Sequence, residues 1–468
     1  MKPATANEPI AIADLRVGMF VHLDMGWMAH PFPLGSFRIA SDQQIETIRS
    51  LGAPRVRWSR HQSDARFGAG SLGVAGPAEA TDAADPAGPA GPADPAEPAA
   101  AAPPPADAVT RNEPRTQTPA DLPTGARADA PTDPRCAARR LAAQRNALQR
   151  CERGFGEAAH ACRQLGELVV PQPAEARASA EALTQTLLEK MQGAQELCLR
   201  LLTTTAGDKA SAHALNVTLI SLLMGRTVGL PPAEMRELGV GALLHDIGKI
   251  ELPEHLRHRG DQLSAPELRV YEEHVAHGVG HARRMGLSRG ATLVIAQHHE
   301  HADGSGFPLR LNADRLTAAA RIVALVDRYD TLCNPPVAAK ALTPHEALSL
   351  LFAQGRGKFD TDLLGAFIRM MGVYPAGSPV QLTDGRHALV VSVNSTRPLK
   401  PCVLVHDAGV PRDQALIVDL ERMPGLGIRR SLKPLHLPAA ALEYLAPRPR
   451  VTYFFEPADS APGGAAEA

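Results

Sequence analysis

Hydrophobic positions at the start of the chain form short runs with turn residues between them. Residues 8–60 contain several strand-like runs, and residues 42–51 place Ile45 and Ile48 on one face of an amphipathic helix. This segment is therefore predicted to form a small N-terminal α+β domain.

Both tryptophans of the chain, Trp27 and Trp58, lie in this segment. One interpretation is that they pack its small core. The other is that Trp27 belongs to a ligand or partner surface together with His30, Pro31 and Phe32.

Residues 62–134 have no hydrophobic repeat. They are dominated by Ala, Pro, Gly and Asp, and such a composition buries too little apolar surface to offset the entropy of an ordered chain. We predict a disordered linker that acts as a semi-extended spacer.

A helical pattern follows over residues 135–206. Apolar residues recur at near-heptad spacing on both sides of a break at residues 171–173. Two interpretations are open. The segment is either a helical stalk that carries a signal or forms a homodimer, or a pair of helices that pack onto the next domain.

The rest of the chain divides into a helical and a β-rich part. Residues 207–374 have helical periodicity almost throughout, whereas residues 377–456 contain short β-branched runs separated by turns. We predict a mostly α protein, built on a helical bundle with a small C-terminal β appendage. The Ala- and Gly-rich tail that follows is predicted to be disordered.

Composition and charge narrow the class of protein. The 468 residues favour more than one domain, and a net charge of -1 gives no general attraction to nucleic acid or to an anionic membrane. The six cysteines form no CxxC pair, which indicates reduced thiols. The sequence contains neither a membrane-length apolar run nor a signal-peptide pattern, so a cytoplasmic protein is expected.

The candidate chemistry begins at residues 245–249, His-Asp-Ile-Gly-Lys. They follow an apolar run that predicts a buried helix, and on such a helix Lys249 would return to the face of His245 after about one turn. An imidazole, a carboxylate able to bridge two ions and an ammonium group together suit a metal-dependent phosphohydrolase. His-Asp pairs are common, so this motif needs support from other residues.

Further candidate ligands lie on other predicted helices. Asp327 follows a strongly apolar stretch, where an unpaired carboxylate would be costly, and a buried carboxylate there usually pairs or binds metal. The additional imidazoles belong to His213, His274, His298 and His299.

These histidines and aspartates include no thiolate, so they suit Fe(II), Mn(II) or Ni(II) at least as well as zinc. They are more than one ion requires, which predicts two ions about 3.5–4 Å apart with Asp246 as the bridge. Such a pair would hold a bridging hydroxide and clamp a phosphate. The predicted reaction is phosphoester hydrolysis.

The motifs resemble the HD-GYP family, metal-dependent phosphodiesterases that hydrolyse the bacterial second messenger cyclic di-GMP. The resemblance covers about residues 207–374, and residues 8–60 resemble the small domain of unknown function that often precedes HD-GYP domains. The matching positions are His213, residues 245–249, His274, residues 298–308, Asp327 and Asp330.

The resemblance implies an HD-superfamily helical bundle with two divalent metal ions, Fe or Mn. It places one ion among His213, His245, Asp246 and Asp327. It places the second among Asp246, His274, His298 and His299.

The resemblance also implies roles beside the metals. Asp246 would act in catalysis, and Lys249 would contact the substrate phosphate or assist the leaving group. Glu300 would orient an imidazole or shape the next loop, and Asp303 would fix its turn. The loop that gives the family its name would comprise Gly304, Gly306, Phe307 and Pro308.

Three departures from the family pattern alter these expectations. Phe307 stands where the family has tyrosine, and Lys209 stands where members with a third metal have glutamate, which favours two ions. After Asp330 the usual Arg-Pro-Tyr-Arg run is missing, and Pro-Val-Ala-Ala precedes Lys340. Lys340 is the candidate substrate-binding cation, with Arg328 or Arg356 as alternatives.

Three functions follow from these observations. The first is a cyclic di-GMP phosphodiesterase that releases linear pGpG, with GMP disfavoured by Lys209. The second is a non-catalytic signalling module that binds nucleotide or a partner such as a diguanylate cyclase, as the missing arginines suggest. The third is a phosphohydrolase for another nucleotide.

Overall fold

The N-terminal domain is a four-stranded antiparallel sheet with one helix. The computed structural model describes residues 8–23, 36–39, 42–50, 55–59, 63, 134–192, 196–203, 208–257, 263–355 and 357–458. The domain contains β1 (Glu8–Ala11), β2 (Phe20–His22), β3 (Ser36–Arg38), α1 (Asp42–Ser50) and β4 (Arg55–Ser59). The strand order is β1-β4-β2-β3, which confirms the α+β prediction.

The core of this domain is small and apolar. Ile45 and Ile48 are buried in one cluster with Val21 and Trp58, and the Trp58 indole donates a hydrogen bond to the Ser63 hydroxyl over 2.8 Å. The predicted surface of Trp27, His30, Pro31 and Phe32 lies outside the described residues, as do residues 64–133 of the predicted linker and the tail from residue 459.

Two long helices follow, α2 (Pro134–Leu168) and α3 (Pro173–Gln192). Phe155 of α2 and Leu187 of α3 are buried in the same hydrophobic core as the helices of the bundle. These two helices therefore pack onto the next domain, and their use in dimerisation stays a prediction.

The predicted helical pattern over residues 135–206 is wrong beyond α3. Residues Leu197–Leu201 form a strand, β5, and all five are buried. The strand has a neighbour on either side in a sheet, and its residues are apolar except for the buried Arg200. Periodicity alone cannot distinguish such a run from a segment of buried helix.

The helical bundle occupies the middle of the chain. Its helices are α4 (Lys209–Thr227), α5 (Pro232–Leu244), α6 (Glu254–Arg257), α7 (Ala265–Met285), α8 (Arg289–Gln297), α9 (Ala318–Cys333), α10 (Pro344–Gln354) and α11 (Thr361–Met371). Residues 214–225 of α4 are all buried, because neighbouring elements cover this helix on every side. Within the described ranges, no helix combines the length and apolarity needed to cross a bilayer.

Hydrogen-bonding caps fix the starts of three helices that carry candidate ligands, α4, α7 and α9. The Asp208 carboxylate accepts from the amide of Ser211 at the start of α4, and Thr317 accepts from Ala320 at the start of α9. Ser264 begins α7 with a reciprocal capping box. Such caps satisfy amides that would otherwise lack partners in the first turn.

The predicted C-terminal β region is present. It contains β6 (Pro379–Leu382), β7 (His387–Asn394), β8 (Cys402–Val405), β9 (Ile417–Asp419), β10 (Ile428–Ser431), α12 (Ala439–Leu445) and β11 (Tyr453–Pro457). The main path of the sheet runs β10-β6-β7-β5-β11, and β8 joins β7 to β9. The sheet shares one hydrophobic core with the bundle and with α2 and α3.

Candidate metal centre

Seven predicted ligands from separate helices converge in the bundle. α4, α7 and α9 contribute one side chain each, and the ends of α5 and α8 contribute two each. The ligand atoms of Asp246, His274, His298 and His299 all lie within 4.8 Å of one another, as do those of His213, His245 and Asp246. Asp327 joins the second group, with Oδ1 3.2 Å from Nε2 of His213 and 3.8 Å from Nε2 of His245.

The expected helix through residues 245–249 is not formed, which corrects the predicted position of Lys249. α5 ends at Leu244, and Ile247–Glu251 form a 3-10 helix. Because a 3-10 helix has about three residues per turn, Lys249 lies over Asp246, with Nζ 2.5 Å from Oδ2.

Gly248 allows this turn to lie directly on α7. A Cβ atom at Gly248 would collide with the carbonyl oxygen of His274 and the amide nitrogen of Gly278. Any larger residue would push the turn away from α7. The packing of Gly248 thus holds the turn of Lys249 against α7 beside His274.

Three imidazoles are oriented by carbonyl groups one turn earlier in the chain. The Nδ1 atoms of His245, His274 and His298 lie 2.7, 2.6 and 2.8 Å from the carbonyl oxygens of Ala242, Tyr271 and Ile295. A carbonyl oxygen only accepts, so each Nδ1 carries the hydrogen. In the neutral rings Nε2 is then a bare acceptor, which is the form a metal requires.

The bare Nε2 atoms of His245, His274 and His298 point into the interior, towards neighbouring imidazoles. Nε2 of His274 lies 3.5 Å from Nε2 of His298, and Nε2 of His245 lies 3.3 Å from Nε2 of His213. Burial lowers the pKa of His245 to about 4 and that of His274 to about 3. Neutral acceptors that converge in this way favour a cation between them.

Asp246 lies between the two groups and presents one oxygen to each. Oδ1 is 3.6 and 3.7 Å from Nε2 of His274 and His298. Oδ2 is 3.7 and 3.5 Å from Nε2 of His213 and His245. Burial would raise the pKa of Asp246, but the nearby Lys249 ammonium and the imidazoles hold it well below its usual value.

The donor set fits metal ions. Oδ1 of Asp246 and Nε2 of His299 are buried and have no hydrogen-bond partner among the residues that the structure describes. Protein ligands lie about 2.0–2.2 Å from a divalent ion of this class, so atoms that share an ion are separated by about 3–4 Å. The spacing of the cluster is of this order, and the cluster can therefore bind metal.

His213 differs from the other imidazoles because two carboxylates flank it. Its Nδ1 lies 2.7 Å from Oδ2 of Asp330, and its Nε2 faces Asp327. Burial lowers the pKa of His213, but the hydrogen bonds to Asp327 and Asp330 outweigh this effect and raise it to about 10. Without a metal, His213 is a cation held between two anions.

Comparison with known proteins identifies two domain models that match this chain. Residues 196–363 match a family model described as an HD domain, and residues 8–180 match a domain of unknown function, DUF3391. A cyclic di-GMP phosphodiesterase of Pseudomonas aeruginosa is 30% identical over 225 residues, which are 47% of this chain and 53% of that protein. The helical region thus matches an HD domain.

A second relative is similar over a shorter stretch. The cyclic di-GMP phosphodiesterase response regulator of Xanthomonas campestris is 32% identical over 162 residues, 34% of this chain and 43% of that protein. The chain thus spans about half the length of the curated relatives it matches. A solved HDG"Y"P protein from Bdellovibrio bacteriovorus has 20% identity and a TM-score of 0.38, covering 47% of this chain and 70% of that one.

Glu300 anchors the loop that follows it, and it belongs to neither of the two groups of candidate metal ligands. Its two carboxylate oxygens accept from the amides of Leu309 and Leu311, over 2.6 and 2.9 Å. Asp303 accepts from the amide of Ser305 over 2.9 Å and so fixes the turn.

The small residues and the aromatic ring of this loop have distinct positions. Gly304 has φ +75°, and Gly306 lies so close to the backbone of His299 and Glu300 that a Cβ would clash. Phe307 stacks on the His299 ring, with the ring centroids 4.6 Å apart, and exposed Pro308 follows it. The loop therefore packs directly on a candidate ligand.

The predicted substrate-binding cations that the structure describes are exposed side chains and do not belong to the two ligand groups. Lys340 ends the exposed 3-10 turn Ala338–Lys340, and Arg328 is exposed on α9. Arg356 lies outside the described residues. Lys209, at the position expected to exclude a third ion, is exposed at the start of α4.

Sequence reasoning missed two contributors. Tyr271 supplies the carbonyl that orients His274, and its ring lies 4.9 Å from the His274 ring and 5.3 Å from Nζ of Lys249. Asp330 orients His213, whereas the sequence indicates it only as a position that matches the family motif. Their spacing was a usable signal, since each lies three residues, or about one helical turn, from a predicted ligand.

Proposed function

We propose that this chain is a metal-dependent phosphodiesterase that hydrolyses cyclic di-GMP to linear pGpG in bacterial second-messenger signalling. The observation that carries this proposal is the arrangement of Nε2 atoms on both sides of Asp246, one pair near each carboxylate oxygen. The names of the relatives supply the substrate class.

Two divalent ions, Fe or Mn, fit this arrangement best. We assign one to His213, His245, Asp246 and Asp327, and the other to Asp246, His274, His298 and His299. Bound there, such ions supply Lewis acidity and lower the pKa of water, which suits attack on a phosphodiester at neutral pH.

Lys249 supplies a proton and a positive charge beside the bridging carboxylate. Burial would lower its pKa, but the adjacent Asp246 carboxylate outweighs burial and raises it. The amine therefore stays protonated at neutral pH. It is suited to hold a phosphate oxygen or to protonate the oxygen that leaves phosphorus.

The proposed reaction adds one water molecule to one ester bond. The water oxygen joins phosphorus, the bond from phosphorus to the ribose 3′ oxygen breaks, and the leaving oxygen takes a proton. This opens the ring and gives linear pGpG. Lys209 occupies the position of the third-ion glutamate, which favours a stop at this product.

One observation favours a second candidate, a non-catalytic module that binds nucleotide or a signalling protein such as a diguanylate cyclase. The segment after α9 is exposed over residues 336–340 and has Lys340 as its single cation. Arginines that grip a substrate phosphate contribute charge-assisted hydrogen bonds of about 1.5–3 kcal/mol each. Weak substrate binding would leave a metal site without turnover.

The test uses the full chain, purified anaerobically and loaded with Mn(II) or Fe(II). Cyclic di-GMP and cyclic GMP-AMP are supplied separately, and the products are identified by mass. Conversion of cyclic di-GMP to pGpG supports the proposal, and binding without conversion supports the second candidate. Turnover of cyclic GMP-AMP alone would show that cyclic GMP-AMP, and not cyclic di-GMP, is the substrate.

Variants connect the activity to the cluster. His245→Ala should lose one ion and Asp246→Ala should lose both, and turnover should fall in each. His277→Ala is the matched control, because His277 is a half-buried histidine of α7 that pairs with Glu273 outside the cluster. Wild-type metal content in His245→Ala and Asp246→Ala would refute the assigned site.

A further inference from the structure

Asp330 is the centre of a buried hydrogen-bond network behind the metal cluster. Its Oδ2 accepts from Nδ1 of His213 over 2.7 Å. Its Oδ1 accepts from the side-chain amides of Asn216 and Asn334, each over 2.8 Å. Asp330 is fully buried and Asn216 is 1% exposed, so these bonds are shielded from water.

The same two asparagines also bind the backbone of the last strand region. The Asn216 amide donates to the carbonyl of Val451 over 3.0 Å, and its oxygen accepts from the amide of Tyr453 over 3.2 Å. The Asn334 amide donates to the Val451 carbonyl over 2.9 Å, and its oxygen accepts from the Val451 amide over 2.9 Å.

Only an amide side chain meets both demands. It offers donors to the carboxylate and to a carbonyl, and an acceptor to a backbone N–H. Aspartate would lose the donors and leucine would lose both functions. Two such side chains, on α4 and at the end of α9, converge on one carboxylate and one backbone segment.

We infer that Asn216 and Asn334 are positioning residues that fasten Asp330, and through it the His213 imidazole, to the backbone at Val451 and Tyr453, where β11 begins. The inference rests on the proposed metal binding and deepens it. It makes the C-terminal strand part of the metal centre, although Val451 is separated from Asn216 by 235 residues in sequence.

The network links one half of the cluster to distant elements. β11 pairs with β5, and its Phe454 ring lies 6.4 Å from Phe155 of α2. The His274 and His298 imidazoles are instead fixed by carbonyls one turn earlier in the chain. A change at α2 or β11 should therefore affect the ion at His213 more than the ion at His274.

The test measures Mn(II) binding to the full chain without substrate, by equilibrium dialysis with electron paramagnetic resonance. Asn334→Ala and Asn216→Ala should each lower the affinity for one of the two Mn(II) ions by about tenfold. This is the lower end of effects seen for groups that orient metal ligands. The second ion should keep its wild-type affinity.

Thr218→Val is the matched control. Thr218 is also a fully buried polar residue of α4, but its hydroxyl donates to the carbonyl of Ala214 within the helix. This variant should lose stability and keep both metal affinities. Equal weakening in Thr218→Val and Asn216→Ala would overturn the inference, as would wild-type affinity in a folded Asn334→Ala protein.

Hydrogen exchange gives a second readout that does not depend on activity. Mn(II) should slow exchange of the Val451 and Tyr453 amides more than that of the β9 amides, which belong to the same sheet. Asn216→Ala should abolish this difference. If the Asn216→Ala protein does not fold, Asn334→Ala decides the matter, because Asn334 is only half-buried.

Failure of this inference is distinguishable from failure of the proposed function. Metal binding that responds to Asn216 and Asn334, in a chain that does not cleave cyclic di-GMP, would support the network and refute the activity. A wild-type chain that binds no Mn(II) would contradict both.

Discussion

The two halves of the metal cluster share Asp246 but are built differently. Around His274 and His298, each ring is oriented by a carbonyl three residues earlier in the chain. Around His213, the ring is oriented by Asp330, which is 117 residues away. In the first half these imidazoles are fixed locally. In the second half His245 is also fixed locally, by the carbonyl of Ala242, but the His213 ring depends on the packing of α4 against α9 and the C-terminal strand.

The halves also differ in charge. Burial lowers the pKa of His274 and His299, so these rings are neutral and ready to bind a cation. Asp327 and Asp330 keep a proton on His213. A metal that binds at His274 and His299 meets free lone pairs. A metal that binds at His213 must displace a proton.

The largest effect is expected from a variant that disrupts both halves of the metal cluster. Asp246→Ala eliminates the carboxylate common to both, so bound metal should fall close to zero and cyclic di-GMP turnover by about a thousandfold or more. Elemental analysis and initial rates on the same sample measure this. Retention of a full equivalent of metal would show that Asp246 is not shared, and His277→Ala, which lies outside the cluster, is the control.

Single-half variants separate the two groups. His213→Ala and His274→Ala should each retain about one ion and lose roughly 10²- to 10³-fold in turnover, because one oxygen of Asp246 keeps its remaining ligands. Elemental analysis of the anaerobically loaded proteins gives the metal-to-chain ratio. Loss of both ions in either variant would mean that the halves cannot be occupied independently.

Lys249 tests the chemistry on the His213 side, since its amine contacts Oδ2 of Asp246. Lys249→Met removes the proton donor and the charge, so turnover should fall by about 10²-fold. Metal content should remain at the wild-type value. Unchanged turnover at full metal content would exclude a catalytic role for this amine.

The pH dependence of metal affinity should differ between the halves. The pKa of His213 is raised to about 10, so a metal must displace its proton throughout pH 6–8. In His274→Ala, which retains this half, Mn(II) affinity should rise by about tenfold per pH unit.

The opposite variant provides the comparison. The pKa of His274 is lowered to about 3, so this ring is already neutral over the same range. In His213→Ala, which retains the His274 half, Mn(II) affinity should change much less between pH 6 and 8. Equal slopes in the two variants would remove the difference in charge described above.

Much of the site was predictable because its ligands follow local patterns. His298 and His299 end a recognisable helix, and Asp327 lies in an apolar one where a carboxylate requires a partner. The position of Lys249 was not predictable, since the 3-10 turn depends on contact between Gly248 and the backbone of α7.

The remaining errors have the same physical cause. β5 was mistaken for helix, because a strand covered on both faces has no alternation. Asn216 and Asn334 gave no signal at all, since their partners at Val451 are more than a hundred residues away. Sequence patterns report the burial of a residue more readily than its distant partners.

The most direct test of the central claim is anomalous X-ray scattering at the manganese edge from crystals of the Mn(II)-loaded chain. Two peaks about 3.5–4 Å apart are predicted, one beside each carboxylate oxygen of Asp246. A single peak, or peaks away from Asp246, would contradict the account.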